Sequence, residues 1–484
     1  MVGFGSSNTS KTTDARNLLA EDIPLHQGED SLVLKRLGWK ISDPFEIYSR
    51  LYPHFQNSFI LESSAGPEEF AKYTFLGFDP RAVLSFKNGR FVKDGEEVLE
   101  TPHPLPYLKQ AEEDFPNPPQ SSSGKYLGGL VGYASYDFIR YLEDLPGPEN
   151  ESEFPDLQLG LFLDGIVHDR DRGTLTYFSY GEDRSSHLEE MLYHPPKGPR
   201  ADFQIGGLSS DFSREEFLER VRKAKDYIFS GDIYQTVLSR RLTGRFKGDQ
   251  LQAYRNLRKI NPSPYMYHLK FGERRIIGSS PEKLVSVTDQ NISTYPIAGT
   301  RPIGESESER KKFRKDLLND EKEQAEHNML VDLARNDVGR VAKYGTVQVP
   351  QYMEVREFSH VQHIVSQVTG RLPEGGRSLD ALGALFPAGT VSGAPKIRAM
   401  ELIDQLEASP RGPYAGAVGY LSYAGDLDSC ITIRSLYTVG DRIFLRAGAG
   451  IVADSDPRRE WEEINHKLGA LRDAVSSGGA GDDS

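Results

Sequence analysis

Residues 414–456 read "YAGAVGYLSYAGDLDSCITIRSLYTVGDRIFLRAGAGIVADSD". Short runs of β-branched and aromatic residues break at "AGD" and again at "VGD", where Gly and Asp suit tight turns. Strands joined by so few residues must run antiparallel, because a parallel pair needs a crossover of about a dozen residues or more. The stretch predicts an antiparallel meander, and "DPRREWEEINHKLGALRDAV" after it predicts a closing helix. Outward from there, helices and strands keep recurring. "SREEFLERVRKAKDYIFSGD" (213–232) is a helix opened by Ser with Glu three positions later, a capping box. "IYQTVLSRRLTGRF" (233–246) alternates as a strand. Residues 315–341 read as one long helix, and "MEVREFSHVQHIVSQVTGRL" as β structure. "APKIRAMELIDQLEA" reads as a helix with Pro395 at its first position and Ile397, Met400 and Ile403 on one face. In the N-terminal half, 43–62 reads as helix then strand and 151–182 as strands. The fold class is α+β.

The 484 residues are 37% hydrophobic and 27% charged, with a net charge of −13 and a pI of about 5.5. This length exceeds what one core usually serves. The ends, 1–20 and 476–484, are polar and rich in small residues, and are expected to be disordered tails. The Pro/Gly-rich stretch 193–207 is the expected boundary between an N-terminal domain (21–200) and a second domain (208–475). The acidic balance argues against a nucleic-acid binder, whose affinity rests on Lys and Arg neutralising phosphates. A single cysteine, Cys430, excludes an intrachain disulfide and a Cys-based zinc site, and suits a reducing cytoplasm. No apolar run of about 18 residues occurs, so no membrane span is expected.

Several constellations carry potential chemistry. Glu323 and Glu326 continue the stripe of Leu330 and Leu333; Glu460 and Glu463 repeat the spacing on the last helix, in line with Lys467. Either pair alone is the common pattern of a solvated acidic face. Two pairs on distant helices point to a hard cation such as Mg²⁺, which takes one or two carboxylates, waters and a substrate anion. "GTVSGAPKIRAMELI" (389–403) places Thr390 and Ser392 before a helix, an anion cradle or a plain loop. It lacks the order of a nucleotide P-loop. "RAGAGIV" (446–452) alone reads as a closely packed strand. His360 and His363 fall on opposite strand faces, so they share no metal; His363 beside carboxylates suits a general base. Arg434 lies in an apolar strand, to pair with an internal acid or a substrate carboxylate. In "PIAGTRP" (296–302), Ala298 and Gly299 leave room against the backbone, followed by a hydroxyl and a cation. Together these parts describe an enzyme for a small polycarboxylate.

The blocks "PIAGTRPIG", "AEHNMLVDLARNDVGRV", "GTVSGAPKIRAMELI", "YAGAVGYLS", "ITIRSLY", "AGAGIVADSDP" and "EWEEINHK" occur in order. Their set resembles the chorismate-utilising enzymes, most closely the large subunits (component I) of anthranilate synthases. "FILESS" and "YTFLGFDPRAV" extend the resemblance into the N-terminal half. It implies a duplicated core of orthogonally packed antiparallel β-sheets flanked by helices. It implies Glu326 and Glu463 as Mg²⁺ ligands, Glu323 as the acid at the departing C4 hydroxyl, and Glu460 as a supporting carboxylate. Gly299, Thr300, Thr390, Tyr414, Arg434, Gly448, Ala449 and Gly450 would contact chorismate, with Lys467 beside a carboxylate and His363 as the base for the later elimination. Ala298 stands where relatives making aminodeoxychorismate carry a nucleophilic lysine, and Gln235 where water-adding relatives carry a lysine base. Both favour amination and pyruvate loss over the alternatives, aminodeoxychorismate synthase or another chorismate-utilising enzyme. The chain has no glutaminase motif, so ammonia would come from a separate glutamine amidotransferase subunit (component II). Glu62, Ser63, Pro264, Tyr265, Met266, Val418 and Tyr420 match the family's tryptophan pocket, and their matching implies feedback inhibition.

Overall fold

The computed structural model describes residues 18–19, 21–23, 32–64, 72–115, 124–145, 151–195, 202–358 and 361–476. His360 and most of the two expected tails lie outside them. Leu19 does not behave as tail: it is buried in the main core, because an apolar pair, Leu18–Leu19, interrupts the polar N-terminal stretch.

Two twelve-stranded antiparallel sheets carry the fold. Both run across the Pro/Gly-rich stretch 193–207. In the first sheet Asn57–Glu62 pairs with Tyr265–Phe271. In the second, Gly129–Ala134 pairs with Ala417–Ser422. Each sheet therefore combines strands from before and after that stretch. The meander of 414–456 is split between them: Ala417–Ser422 and Leu427–Ile431 lie in the second sheet, Ser435–Val439 and Arg442–Ile451 in the first.

One core fills the space between the sheets and a second lies between the first sheet and the helices packed outside it. Central strands of the first sheet are thus buried on both faces, while its edge strands Val33–Arg36 and Gln204–Ser210 stay largely exposed. Phe59 joins the inter-sheet core, while its neighbour Ile60 joins the helix-side core. This explains their continuous apolar runs, unusual for antiparallel strands with one wet face.

Local signals explain the helices. Ser213 and Glu216 form the expected capping box. The expected long helix is two, Glu307–Asn319 and Glu321–Gly339. Asp320 breaks it: its ψ is 104°, and its carboxylate accepts from the N–H groups of Lys322 and Glu323 at 3.1 and 3.2 Å. In Lys396–Leu406, Pro395 is the N-cap rather than the first helical residue. Met400 and Ile403 are buried but Ile397 faces out, 38% exposed.

A charged cluster lies within this apolar frame. Glu407 binds Arg411 at 2.7 Å and Arg446 at 2.6 Å, with all three side chains at most 4% exposed. Ser239 adds N–H and hydroxyl bonds of 2.8 Å. Burial pushes the Glu407 carboxyl up, but the two guanidiniums win and hold it below the usual range. Removing the charge of one partner leaves buried ions uncompensated. Glu407→Gln is expected to lower unfolding free energy by about 3–5 kcal/mol in urea titrations at neutral pH.

Candidate active site and a second cavity

The bulged strand Ile297–Pro302 answers what "AGTRP" is for. Its pairing with Val361–Arg371 shifts register between Ala298 and Arg301. Gly299 sits in the bulge at φ +64°, and a Cβ there would lie 2.8 Å from Leu317 and 3.1 Å from the Glu323 carboxylate. What comes close to the backbone is Glu323, at the start of its helix. Thr300 and the Gly299 carbonyl both meet His363 Nδ1, at 3.2 and 2.7 Å. A carbonyl only accepts, so Nδ1 carries the proton and Nε2 keeps its lone pair. Burial lowers the pKa of His363; the Gly299 bond opposes this and the Arg434 cation adds to it, leaving the ring neutral at pH 7. Arg301 binds Asp316, Asp320 and Glu323 at 2.7, 2.8 and 3.2 Å. The cation is a clamp on the helix junction.

The helices Glu321–Gly339 and Pro457–Ser476 bring their acids together. Burial raises the pKa of Glu326, with Glu323 and Glu463 adding repulsion. Burial likewise raises Glu460, again with Glu463 adding. Lys467 pairs with Glu463 at 2.7 Å and donates to the Gly448 carbonyl at 3.0 Å. Among the described residues, no group of three His, Cys, Asp or Glu side chains could hold a metal by itself. Mutually repelling carboxylates fit a cation of the Mg²⁺ type all the same, since that ion completes its shell with water and substrate oxygens.

Beside the acids opens a cavity of about 650 Å³. Thr390, Tyr414, Arg434, Gly448, Gly450 and Lys467 line it, six of the positions implied by resemblance. Gly448 leaves room for the Tyr414 hydroxyl, which a Cβ would approach to 2.7 Å. Ala449 points away into the helix-side core, as strand alternation requires. Ser392 is no cradle: its hydroxyl is bound to the Ala388 carbonyl at 2.8 Å, and Gly393–Ala394 pairs as a short strand with Gln235 and Thr236. Glu323, Glu326, His363, Glu460 and Glu463 flank the cavity without forming its lining. The Arg434–His363 interaction and the Lys467–Glu463 pair link the two groups.

The cavity also holds residues that sequence reasoning passed over. Glu282, in "SSPEKL", accepts from Thr390 at 2.9 Å and faces Arg434. Burial pushes its carboxyl up to about 7, with Thr390 and Arg434 opposing. An acid leading into the strand Lys283–Thr288 was the available signal. Arg446 reaches the lining from the Glu407 cluster. Gln235, which the sequence did single out, lies buried behind Gly450 and outside the lining, and among the described residues its Oε1 has no hydrogen-bond partner.

A second cavity of about 200 Å³ gathers Glu62, Ser63, Pro264, Tyr265, Met266, Val418 and Tyr420. Their roles differ. The Glu62 carboxylate turns away to Arg258, at 2.7 and 2.5 Å, and to Tyr254 at 3.0 Å. Met266, its register partner, packs into the helix-side core. Ser63 donates to the Pro264 carbonyl at 2.7 Å, and Tyr265 to Asp428 at 2.9 Å.

A family model for chorismate binding enzymes matches residues 56–473. The chain belongs to the chorismate binding enzymes. Among this family's curated members, anthranilate synthase component 1 of Methanothermobacter thermautotrophicus is 47% identical over 92% of this chain and 95% of its own. That of Thermus thermophilus is 43% identical over 91% and 97%. The crystal structure of anthranilate synthase component I from Streptococcus pneumoniae has a TM-score of 0.73 and 37% identity, covering 83% of this chain and 92% of that one. The menaquinone-specific isochorismate synthase of Escherichia coli shares the fold at a TM-score of 0.70 and 21% identity, covering 96% and 99%.

In this chorismate binding enzyme Gly299 leaves little room for a side chain. Gly299→Ala would crowd Glu323 and place Cβ at a strained φ, at a cost of about 1 kcal/mol or more. The expected outcome is a folded protein whose kcat falls at least about tenfold, with a melting temperature only a few degrees lower. Steady-state kinetics beside calorimetry checks it.

Proposed function

We propose that the chain is the large subunit of an anthranilate synthase, converting chorismate and ammonia to anthranilate, pyruvate and water. The observation that carries this reading is the polarity of the cavity. Arg434, Arg446 and Lys467 supply cations to its lining, while the four acids of two helices stand at its flank. A small dicarboxylate is held by such cations. Glu326 and Glu463 would hold Mg²⁺, which when bound supplies neutralisation of carboxylate charge.

The remaining chemistry falls to side chains of the chain itself. The departing C4 hydroxyl needs a proton. Glu282, pushed up to about 7 and exposed to the cavity, keeps its proton near neutrality. Glu323, tied to Arg301, orients the acid wall instead. This assigns the donor role to Glu282 rather than to Glu323, the residue implied by resemblance. Ammonia adds at C2 as the hydroxyl leaves as water. His363 Nε2 then takes the C2 proton while the ether C–O bond breaks and pyruvate departs. Ala298 offers no amine for covalent attack, and Gln235 no base for water. The ammonia source is a partner glutaminase, in keeping with relatives named component 1. The second cavity would take tryptophan, its ring against Tyr265 and Tyr420 and its ammonium toward Asp428.

Purified chain with chorismate, Mg²⁺ and ammonium chloride is expected to yield equimolar anthranilate and pyruvate, to stop on chelation, and to be inhibited by tryptophan less strongly in Ser63→Ala. Aminodeoxychorismate or isochorismate as product would refute the assignment. A protonated Glu282 is present below its raised pKa and lost above it. At constant free ammonia, kcat/KM should therefore fall as pH rises through about 7, by up to tenfold per unit. Glu282→Gln should lose about 10²–10⁴-fold in kcat and show no such limb.

A further inference from the structure

Two consecutive residues serve both cavities. Glu282 lines the catalytic cavity and Lys283 the second one, and both line a small cavity of about 40 Å³ that also reaches Thr390. Strand geometry makes this possible, since neighbouring side chains point to opposite faces. Glu282 holds Thr390 at 2.9 Å and faces Arg434. The Lys283 ammonium lies 3.4 Å from Asp428, 2.9 Å from Ser286 and 5.6 Å above the Tyr295 ring. Asp428 is also the acceptor for Tyr265, so Lys283 and Tyr265 converge on one carboxylate oxygen.

The backbone here is irregular. Lys283 pairs with Cys430 and Val285 with Ser429, so the strand carries one residue more than its partner. The Glu282 carbonyl, just before this bulge, accepts from Ile431 N–H at 3.0 Å. A bulged start interrupts the ladder, which leaves 282–284 less firmly fixed than the paired residues that follow.

We propose that Glu282–Lys283 is the coupling element between the two cavities: an amino-acid effector whose ammonium takes Asp428 displaces Lys283, and the bulged strand start carries that displacement to Glu282, Thr390 and Arg434. The proposal rests on the reading of the second cavity as a tryptophan site. Lys283 and the effector's own ammonium compete for one carboxylate, so each weakens the other's hold on it. Substrate in the catalytic cavity fixes Glu282 and so favours Lys283 on Asp428. Reciprocity follows: substrate must weaken effector binding by the same factor by which effector weakens substrate binding.

The test measures this factor without turnover. Tryptophan affinity is determined by calorimetry with and without saturating chorismate and Mg²⁺, in the absence of ammonium and of any glutaminase. The full chain is expected to show a factor of about 5–150. In Lys283→Met the factor should collapse to about 1–2, while in Lys283→Arg, which keeps a cation on Asp428, it should be largely retained. An unchanged factor in Lys283→Met overturns the proposal. So does loss of tryptophan binding in both Lys283→Met and Lys283→Gln, which would make Lys283 a ligand contact only. Failure of the unsubstituted chain to bind tryptophan is a different result: it overturns the effector reading itself.

Discussion

One carboxylate shared by two buried guanidiniums organises the catalytic half of this molecule. Glu407 neutralises only one of Arg411 and Arg446, so a positive charge remains beside the cavity, enclosed by protein. The remaining donors are spent on structure. Arg411 binds the carbonyls of Val391 and Val237 at 2.6 and 2.7 Å; Arg446 binds Ser239 Oγ and the Pro410 carbonyl, both at 2.7 Å. The turn bearing Thr390, the strand Gln235–Lys247 and the loop before Tyr414 are thereby tied to one centre. Both guanidiniums also lie within 6 Å of the Tyr414 ring, at 5.6 and 5.9 Å. A buried ion cluster contributes little net stability, but it fixes geometry because any slippage leaves a charge unpaired. Here the same expense also supplies the field that a dianionic substrate requires.

The opposite wall is assembled by a different device. Asp320 ends one helix and caps the next, and Arg301 clamps Asp316, Asp320 and Glu323 across that break. Capping fixes the helix start, so Glu323 leaves it at a defined angle to Arg301 and Glu326 at one that brings it near Glu463. Gly299 lets this helix approach, and the carbonyl of the same glycine sets the tautomer of His363. Four neighbouring residues, Ala298 to Arg301, thus position an acid wall and a neutral imidazole by being small, bulged, hydroxylated and charged in turn. The Arg301 partners all keep some access to solvent, from 24% for Glu323 to 61% for Asp316, so the clamp acts through geometry and shared partners more than through the strength of any one pair.

Periodicity revealed the elements, because burial on one stripe or on alternate residues leaves a direct mark on sequence. It revealed Glu323, Glu326, Glu460 and Glu463 as stripes on two helices. It could not reveal the break at Asp320, where a capping residue occupies an otherwise continuous helical pattern. Nor could it place Glu282: an acid after Ser-Ser-Pro looks like turn chemistry until Thr390 and Arg434 arrive from 108 and 152 residues away. The same holds for Glu407 and Arg446, whose partnership exists only in three dimensions. Motif resemblance located Glu62 and Met266 at the second cavity but not their direction. Both line that cavity, yet the Glu62 carboxylate turns to Arg258 and Met266 packs into the helix-side core, so they form its back wall.

Strand alternation has a larger consequence. In a sheet with one wet face, half of each strand is free of constraint. In central strands such as Asn57–Glu62 and Lys283–Thr288 both faces are occupied, by core in most places and by cavities in a few. A strand that passes between two cavities must present successive side chains to each of them. It then cannot adjust to a ligand on one side without being felt on the other, since close-packed interiors transmit displacement instead of absorbing it. Coupling between sites needs no dedicated channel in such an architecture. It needs a place where the ladder is interrupted, so that movement is possible, and charged groups on both faces, so that movement has an energetic consequence. The start of Lys283–Thr288 satisfies both conditions, with a bulge at 283–285, Glu282 on one side and Lys283 on the other.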